Sequence, residues 1–153
     1  MMIAAAPLAR PAPAPETEAL PSLTSLEQVL DVLRRCGETY LRISPGPLTD
    51  RYTGMRDADS GCLLPGLPVW ALHPEPWWPA GPRLWAARQL VRHGYLLSGG
   101  KGHVAWLLTG EEVGRGPEGE PLVGSFRPVA VVAPAVLAEA EAAYAAWRLR
   151  DLH

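Results

Sequence analysis

Among the residues of this sequence, two acidic side chains in a glycine-rich stretch have the spacing that comes closest to that of a catalytic pair of carboxylates. Glu118 and Glu120 stand two residues apart, just before an apolar run that begins at Leu122. In an extended backbone, side chains at positions i and i+2 project to the same side. Two such carboxylates can hold a ribose hydroxyl and orient a nucleophile, and the charge of one discourages ionisation of the other. The alternative is a solvated hairpin loop that has no ligand.

Two adjacent tryptophans, Trp77 and Trp78, form a second candidate site within a turn rich in proline. In an extended backbone neighbouring side chains point to opposite sides, so both indoles cannot enter one core. We therefore expect at least one of them to line a cleft or contact a partner. An exposed indole can stack on a nucleobase or a nicotinamide ring, or act as an interface hot spot. The alternative is that both indoles close the end of a small core.

The elements that would position these residues follow from hydrophobic spacing and from the glycines and prolines that interrupt it. Helices are predicted over 24–37, over 82–93 and from 134 onward. Strands are predicted over 39–44, 66–72, 104–109 and 122–132, and breaker-rich loops over 48–62 and 110–119. This order, with short connections between the later strands, predicts a single α+β domain with about three helices and a mixed, mostly antiparallel sheet.

Local signals refine several of these elements. Thr24 and Glu27 have the spacing of a capping box, which places the start of the first helix. In the first strand, Leu41 and Ile43 share one face, and the other face carries Tyr40, Arg42 and Ser44. Three arginines on or near the second helix could bind a phosphate or form a solvated helix face; they are Arg83, Arg88 and Arg92.

Residues 1–22 differ in composition from the rest of the chain. They are rich in alanine and carry prolines at positions 7, 11, 13, 15 and 21, which remove backbone donors. We predict a disordered tail over 1–22 and one domain over 23–153. The first residues lack the positive charge of a signal peptide, and no apolar run is long enough for a membrane span. These patterns predict a soluble cytoplasmic protein without a membrane partner.

Charge and metal-ligand content narrow the class of function. The chain has 16 acidic and 14 basic residues, a net charge of −2, which argues against the positive field that nucleic-acid binding needs. Nucleic acid is therefore an improbable partner. The two cysteines, Cys36 and Cys62, are read as reduced thiols. The four histidines are scattered singly, so no metal site is predicted; they are His73, His93, His103 and His153.

The order of parts over residues 38–132 resembles that of ADP-ribosyltransferase folds. The strand bearing Arg42, the later arginine-bearing helix and the Glu118-x-Glu120 pair carry this resemblance. It implies NAD as a cofactor, with the pyrophosphate held by Arg42 beside Ser44. It also implies that Glu120 assists attack at the nicotinamide ribose, with Glu118 as its helper. The Ser-Thr-Ser strand motif of many members is replaced here by residues 66–69, Gly-Leu-Pro-Val.

Over residues 23–150 the chain more closely resembles a family of small actinobacterial proteins without an assigned function. Four motifs carry that resemblance: Arg-x-Ser-x-Gly-Pro from Arg42, Leu-Pro-Gly-Leu from Leu64, Glu-Pro-Trp-Trp from Glu75, and Gly-Glu-Glu-Val-Gly-Arg-Gly-Pro from Gly110. This resemblance implies no reaction.

Two hypotheses of different class therefore remain. The first is an NAD-binding transferase in which Trp77 or Trp78 walls the pocket. The second is a non-catalytic module that contacts an unknown protein through the turn that holds these two indoles.

Overall fold

The computed structural model describes residues 19–99 and 102–150. These residues form an α+β fold, as predicted. In chain order the elements are β1 (Ser22–Leu23), α1 (Leu26–Cys36), β2 (Tyr40–Ser44), α2 (Pro47–Thr53), β3 (Leu67–Pro68), β4 (Trp70–Ala71), α3 (Gly81–His93), a 3₁₀ helix (Gly94–Gly99), β5 (Val104–Arg115), β6 (Pro121–Val132) and α4 (Pro134–Arg150).

The strands form one curled sheet. Its order is β1-β6-β5-β2-β4, with β3 also paired to β6, and among these pairs only β1 with β6 is parallel. Only Val69 separates β3 from β4, yet β3 pairs with β6 and β4 pairs with β2. The segment 67–71 therefore pairs with both β6 and β2, the two strands that flank β5, and curls the sheet around an interior.

The two faces of the curled sheet bury different sets of side chains. Leu41 and Ile43 pack with the helices on the outer face, whereas Tyr40 packs with Trp106 and Phe126 inside the curl. The alternation of side chains predicted for the strand over 39–44, which is β2 in the structure, is therefore confirmed. It places Arg42 on the inner face, beneath the segment that joins the strands.

Two predicted loops contain regular structure. The sequence predicts a loop over 48–62, but helix α2 occupies the beginning of this range. Pro47 lies in the first turn of α2, where the backbone N–H that proline lacks would have no partner within the helix. The range 110–119 was also expected to be a loop, but β5 continues to Arg115. The connection to β6 is a short turn in which Pro117 follows Gly116 and Gly119 adopts a φ of 80°.

The start of the domain also differs in detail from the prediction. Ser25 rather than Thr24 caps α1, because its hydroxyl accepts from the Gln28 N–H at 3.2 Å. Of the tail predicted over 1–22, residues 1–18 lie outside the described residues. The Pro21 carbonyl accepts from the Val131 N–H at 2.9 Å, so this end of the predicted tail contributes to the sheet. Within the described ranges, every helix is too short or too polar to cross a bilayer.

Candidate functional site

A cavity of about 720 Å³ lies between α3, the segment 68–77 and the hairpin formed by β5 and β6. We call it the helix–hairpin cavity. Its helix wall consists of Trp85, Arg88, Gln89, Arg92 and His93, and Tyr95 follows it. Its hairpin wall consists of Glu112, Arg115, Glu118, Gly119, Glu120 and Pro121. The segment between them contributes Pro68, Trp70, Ala71, His73, Glu75 and Trp77.

Arg88 and Arg92 stand one helical turn apart on the helix wall because they are four residues apart in α3, whose opposite stripe, including Leu90, is buried. The Arg88 guanidinium lies over the Trp85 ring at 5.0 Å and the Trp77 ring at 5.8 Å, close enough for cation–π attraction. Arg92 is exposed and forms no hydrogen bond or ion pair with any described residue. The helix wall therefore offers one guanidinium held on aromatic faces and one that is free to bind an anion.

Two imidazoles line the cavity with hydrogen-bonding atoms that the described residues leave unused. His93 stacks on Trp70 with 3.8 Å between ring centroids and is 9% exposed. Burial, followed by the charges of Arg92 and Arg88, lowers the pKa of His93 to about 4, so its imidazole is neutral at pH 7. The Nδ1 atom of His73 is buried without a hydrogen-bond partner in the described part of the chain.

The hairpin wall carries three carboxylates in different states. The Glu112 carboxylate pairs with Arg115 at 2.9 Å and accepts from the Tyr40 hydroxyl at 3.4 Å. Burial and the nearby Glu112 charge raise the pKa of Tyr40 to about 12. Glu120 turns back over the hairpin, where its Oε1 accepts from the Glu118 N–H at 2.8 Å. The Glu118 carboxylate itself is exposed and has no partner among the described residues.

The two adjacent tryptophans have separate roles. Trp77 is 63% exposed and lines the cavity. Trp78 donates its indole N–H to the Gly81 carbonyl at 2.8 Å and packs against Trp85 and Trp147. Trp77 is therefore available to a ligand, whereas Trp78 fixes the turn to α3 and α4.

Arg42 and Ser44 belong to a largely buried polar network on the inner face of the sheet. Two guanidinium nitrogens of Arg42 donate to the two carboxylate oxygens of Asp50, each at 3.1 Å, and a third donates to the Pro68 carbonyl at 3.1 Å. The Ser44 hydroxyl donates to Asp50 at 2.6 Å and accepts from the Trp106 indole N–H at 3.1 Å. Neither Arg42 nor Ser44 lines the helix–hairpin cavity.

The structure thus brings Glu118, Glu120 and Trp77 to one cavity and places Arg42, Ser44 and Trp78 outside its lining. The sequence left the roles of Arg88 and Arg92 open and assigned none to His93. The signal available for the two arginines was their spacing of four residues on a helix that follows an indole-rich turn.

A second cavity, of about 730 Å³, lies between α1 and the start of α3. Its lining includes Leu30, Leu33, Leu72 and two prolines. It also includes Arg83, one of the three arginines named above as possible phosphate ligands, but neither the predicted pair of carboxylates nor the predicted tryptophans. We therefore place the candidate site in the helix–hairpin cavity. Within residues 19–99 and 102–150, no three histidine, cysteine, aspartate or glutamate residues stand where they could hold a metal ion.

Comparison with known proteins gives one match. The family model DUF6098, described as a family of unknown function, matches residues 16–152. No curated protein and no solved structure matches the chain. The family match confirms the predicted likeness to an uncharacterised domain family. The actinobacterial origin and the likeness to ADP-ribosyltransferases stay predictions.

Proposed function

We propose that this chain binds a nucleotide in the helix–hairpin cavity, with NAD as the first candidate. Over residues 16–152 the chain belongs to DUF6098, a family of unknown function. The observation that carries the proposal is that the exposed Trp77 ring and the unpaired Arg92 guanidinium line one cavity of about 720 Å³. That volume lies within the range of small-molecule sites in proteins.

Each part of a nucleotide has a matching group on the cavity wall. A flat base can stack on Trp77, an interaction that contributes about 1–3 kcal/mol per base in known complexes. Phosphate oxygens can accept from Arg92 and Arg88, because a guanidinium offers paired donors to an oxyanion. Ribose hydroxyls can donate to the Glu118 carboxylate.

This arrangement differs from the one that the ADP-ribosyltransferase resemblance implies. Because Asp50 and Pro68 occupy three donors of Arg42, we assign the phosphate to Arg88 and Arg92 instead. Catalysis by Glu120 with Glu118 as helper stays part of the proposal, supported by the place of both residues on the wall of the same cavity.

Calorimetric titration of the full chain with NAD tests the proposal. We expect saturable binding that weakens about tenfold, equal to about 1.4 kcal/mol, in Arg92→Gln. The matched control is Arg127→Gln, which removes an exposed arginine outside the cavity lining. Trp77→Ala should weaken binding to a similar degree. Absence of binding, or equal effects of the two arginine substitutions, would refute the proposal.

The transferase step breaks the bond between nicotinamide and its ribose and joins the ADP-ribosyl group to an acceptor or to water, so its readout is the release of nicotinamide from NAD. If the chain catalyses this step, Glu120→Gln should stop the release and leave the affinity for NAD within about twofold. Release that continues in Glu120→Gln would exclude Glu120 as the catalytic carboxylate.

The exposure of Trp77 also favours a second function, contact with a protein partner through the Trp77–Trp78 turn. Proteins captured from a lysate by the full chain should then be lost with Trp77→Ala. An unchanged set of captured proteins would count against this second function.

A further inference from the structure

One histidine on the helix wall of the helix–hairpin cavity carries an inference about how the cavity binds phosphate. Resting on the nucleotide binding proposed above, we infer that His93 is a third phosphate ligand beside Arg88 and Arg92, and that the site takes up one proton on His93 when the phosphate binds. The cavity therefore binds a phosphate-bearing nucleotide more tightly at mildly acidic pH than at neutral pH.

The side chain of His93 is nine-tenths buried in this wall, and its ring nitrogens are unused. Its ring stacks on Trp70 with 3.8 Å between centroids, so one face is covered and the ring edge, where both nitrogens lie, is left to bind a ligand. Neither nitrogen has a hydrogen-bond partner among the described residues. Neither is fully buried, because the fully buried side-chain nitrogen that lacks a partner in these residues is Nδ1 of His73. A ligand in the cavity can therefore reach the His93 ring.

Two guanidinium groups beside His93 indicate that this ligand is an anion. Arg92 is exposed and has no hydrogen bond or ion pair with a described residue. Arg88 donates to the Gln89 side chain at 2.8 Å through one nitrogen, and its other two guanidinium nitrogens have no hydrogen-bond partner among the described residues. Both arginines can therefore donate to phosphate oxygens. Because their charges act on the His93 ring, an anion held between them lies within electrostatic range of that ring.

The same arginines set the direction of the coupling to protons. In the free chain, burial and then the charges of Arg92 and Arg88 lower the pKa of His93 to about 4. A bound phosphate offsets these charges and accepts a hydrogen bond from the protonated ring, so it raises the pKa of His93. A ligand that raises a pKa binds more tightly as the pH falls, because the protonated form is the one it favours. The proton comes from the solvent and occupies the ring nitrogen that is bare in the neutral imidazole, and no other bond forms or breaks.

Other walls of the cavity also carry titratable and charged groups. Besides His93 and its two arginines, the lining holds His73 and Glu75 on the segment 68–77, Tyr95 after α3, and Glu112, Arg115, Glu118 and Glu120 on the hairpin. Of these residue types only histidine ordinarily titrates between pH 5.5 and pH 7.5. His73 is therefore the lining residue whose titration has to be separated from that of His93.

Calorimetric titration of the full chain with NAD at pH 5.5 and at pH 7.5, at one ionic strength, tests the inference. NAD suits this test because its phosphates are internal, whereas a terminal phosphate itself titrates near pH 6. If the bound phosphate restores the pKa of His93 to the ordinary value of 6.5, the affinity is about tenfold higher at pH 5.5 than at pH 7.5. Repeating the titration at pH 5.5 in two buffers of different ionisation enthalpy should show uptake of close to one proton.

Three variants assign the proton to a residue. His93→Gln keeps a hydrogen-bonding side chain that does not titrate, so its affinity for NAD should be nearly equal at the two pH values. His73→Gln removes the other histidine of the lining and should keep the pH effect. His103→Gln is the matched control, because His103 does not line the cavity.

The outcomes separate the inference from the proposed function. A rise in affinity of at least about threefold at pH 5.5 that is lost in His93→Gln and kept in the other two variants supports the inference. Equal affinity at both pH values, or a pH effect that persists in His93→Gln or disappears in His73→Gln, overturns it and leaves nucleotide binding intact. The absence of proton uptake by the natural chain also overturns it, whether or not His93→Gln folds. If NAD binds at neither pH, the proposed function itself fails.

Discussion

Replacing Arg42 by glutamine distinguishes a structural arginine from a cofactor ligand. The substitution removes both bonds from the guanidinium to Asp50 and leaves that carboxylate without its cation. Asp50 is 2% exposed and Arg42 is 19% exposed, so water can replace little of what is lost. The Ser44 hydroxyl is the one other side chain among the described residues that donates to Asp50. We therefore expect Arg42→Gln to destabilise the fold rather than a bound ligand.

The expected loss is large compared with total stability. Removing one partner of a buried ion pair costs about 3–5 kcal/mol, because the remaining charge stays desolvated without compensation. A domain of this size has a free energy of unfolding of about 5–15 kcal/mol. Urea denaturation followed by circular dichroism measures the loss as a lowered midpoint at unchanged slope.

The matched control is Arg35→Gln on α1. Arg35 pairs with Asp31 at 3.2 Å, but the two side chains are 64% and 58% exposed. A surface pair of this kind contributes less than about 1 kcal/mol. In the double variant Arg42→Gln/Asp50→Asn both charges are absent, so we expect it to be more stable than Arg42→Gln alone.

One result would refute this account of Arg42. If Arg42→Gln unfolds at the same urea concentration as the natural chain and yet loses affinity for NAD, the ion pair contributes little. The cofactor role implied by the ADP-ribosyltransferase resemblance would then return to Arg42.

Two further predictions concern pH and packing. Burial lowers the pKa of His93 to about 4 in the folded chain, against an ordinary histidine value of 6.5. Between these two pH values the unfolded chain therefore binds one proton that the folded chain does not. The free energy of unfolding should fall by up to about 3 kcal/mol as the pH drops through that window. His93→Phe should remove this part of the dependence in urea titrations; identical slopes in both proteins would contradict the assignment. Gly66→Ala places a Cβ 2.9 Å from the Val123 backbone and should cost about 1–3 kcal/mol, whereas Gly114→Ala meets no atom within 4 Å. Equal thermal midpoints for the two glycine variants would show that the main chain yields at Gly66.

Much of the secondary structure could be predicted because its signals are local. Helix α1 follows from capping groups and leucines within a few residues of one another, and α3 ends at Gly94 as its sequence predicts. The alternation on β2 correctly put Arg42 on the face opposite Ile43. The helix α2 was missed because its glycine-flanked, polar sequence has the composition of a loop, and burial of Asp50 against Arg42 stabilises it there.

By itself the sequence determined the class of fold, most of its elements and the residue types available for chemistry, since these depend on neighbours along the chain. Only the tertiary structure decided which of these residues meet. Arg42 is bound by Asp50 from a helix that the sequence did not predict, whereas Trp77, Arg92 and Glu118 line one cavity from separate parts of the chain. The physical reason is that a guanidinium binds whichever acceptor the folded backbone brings within reach. That acceptor is set by how the sheet curls and where the hairpin lies, which no short stretch of sequence encodes.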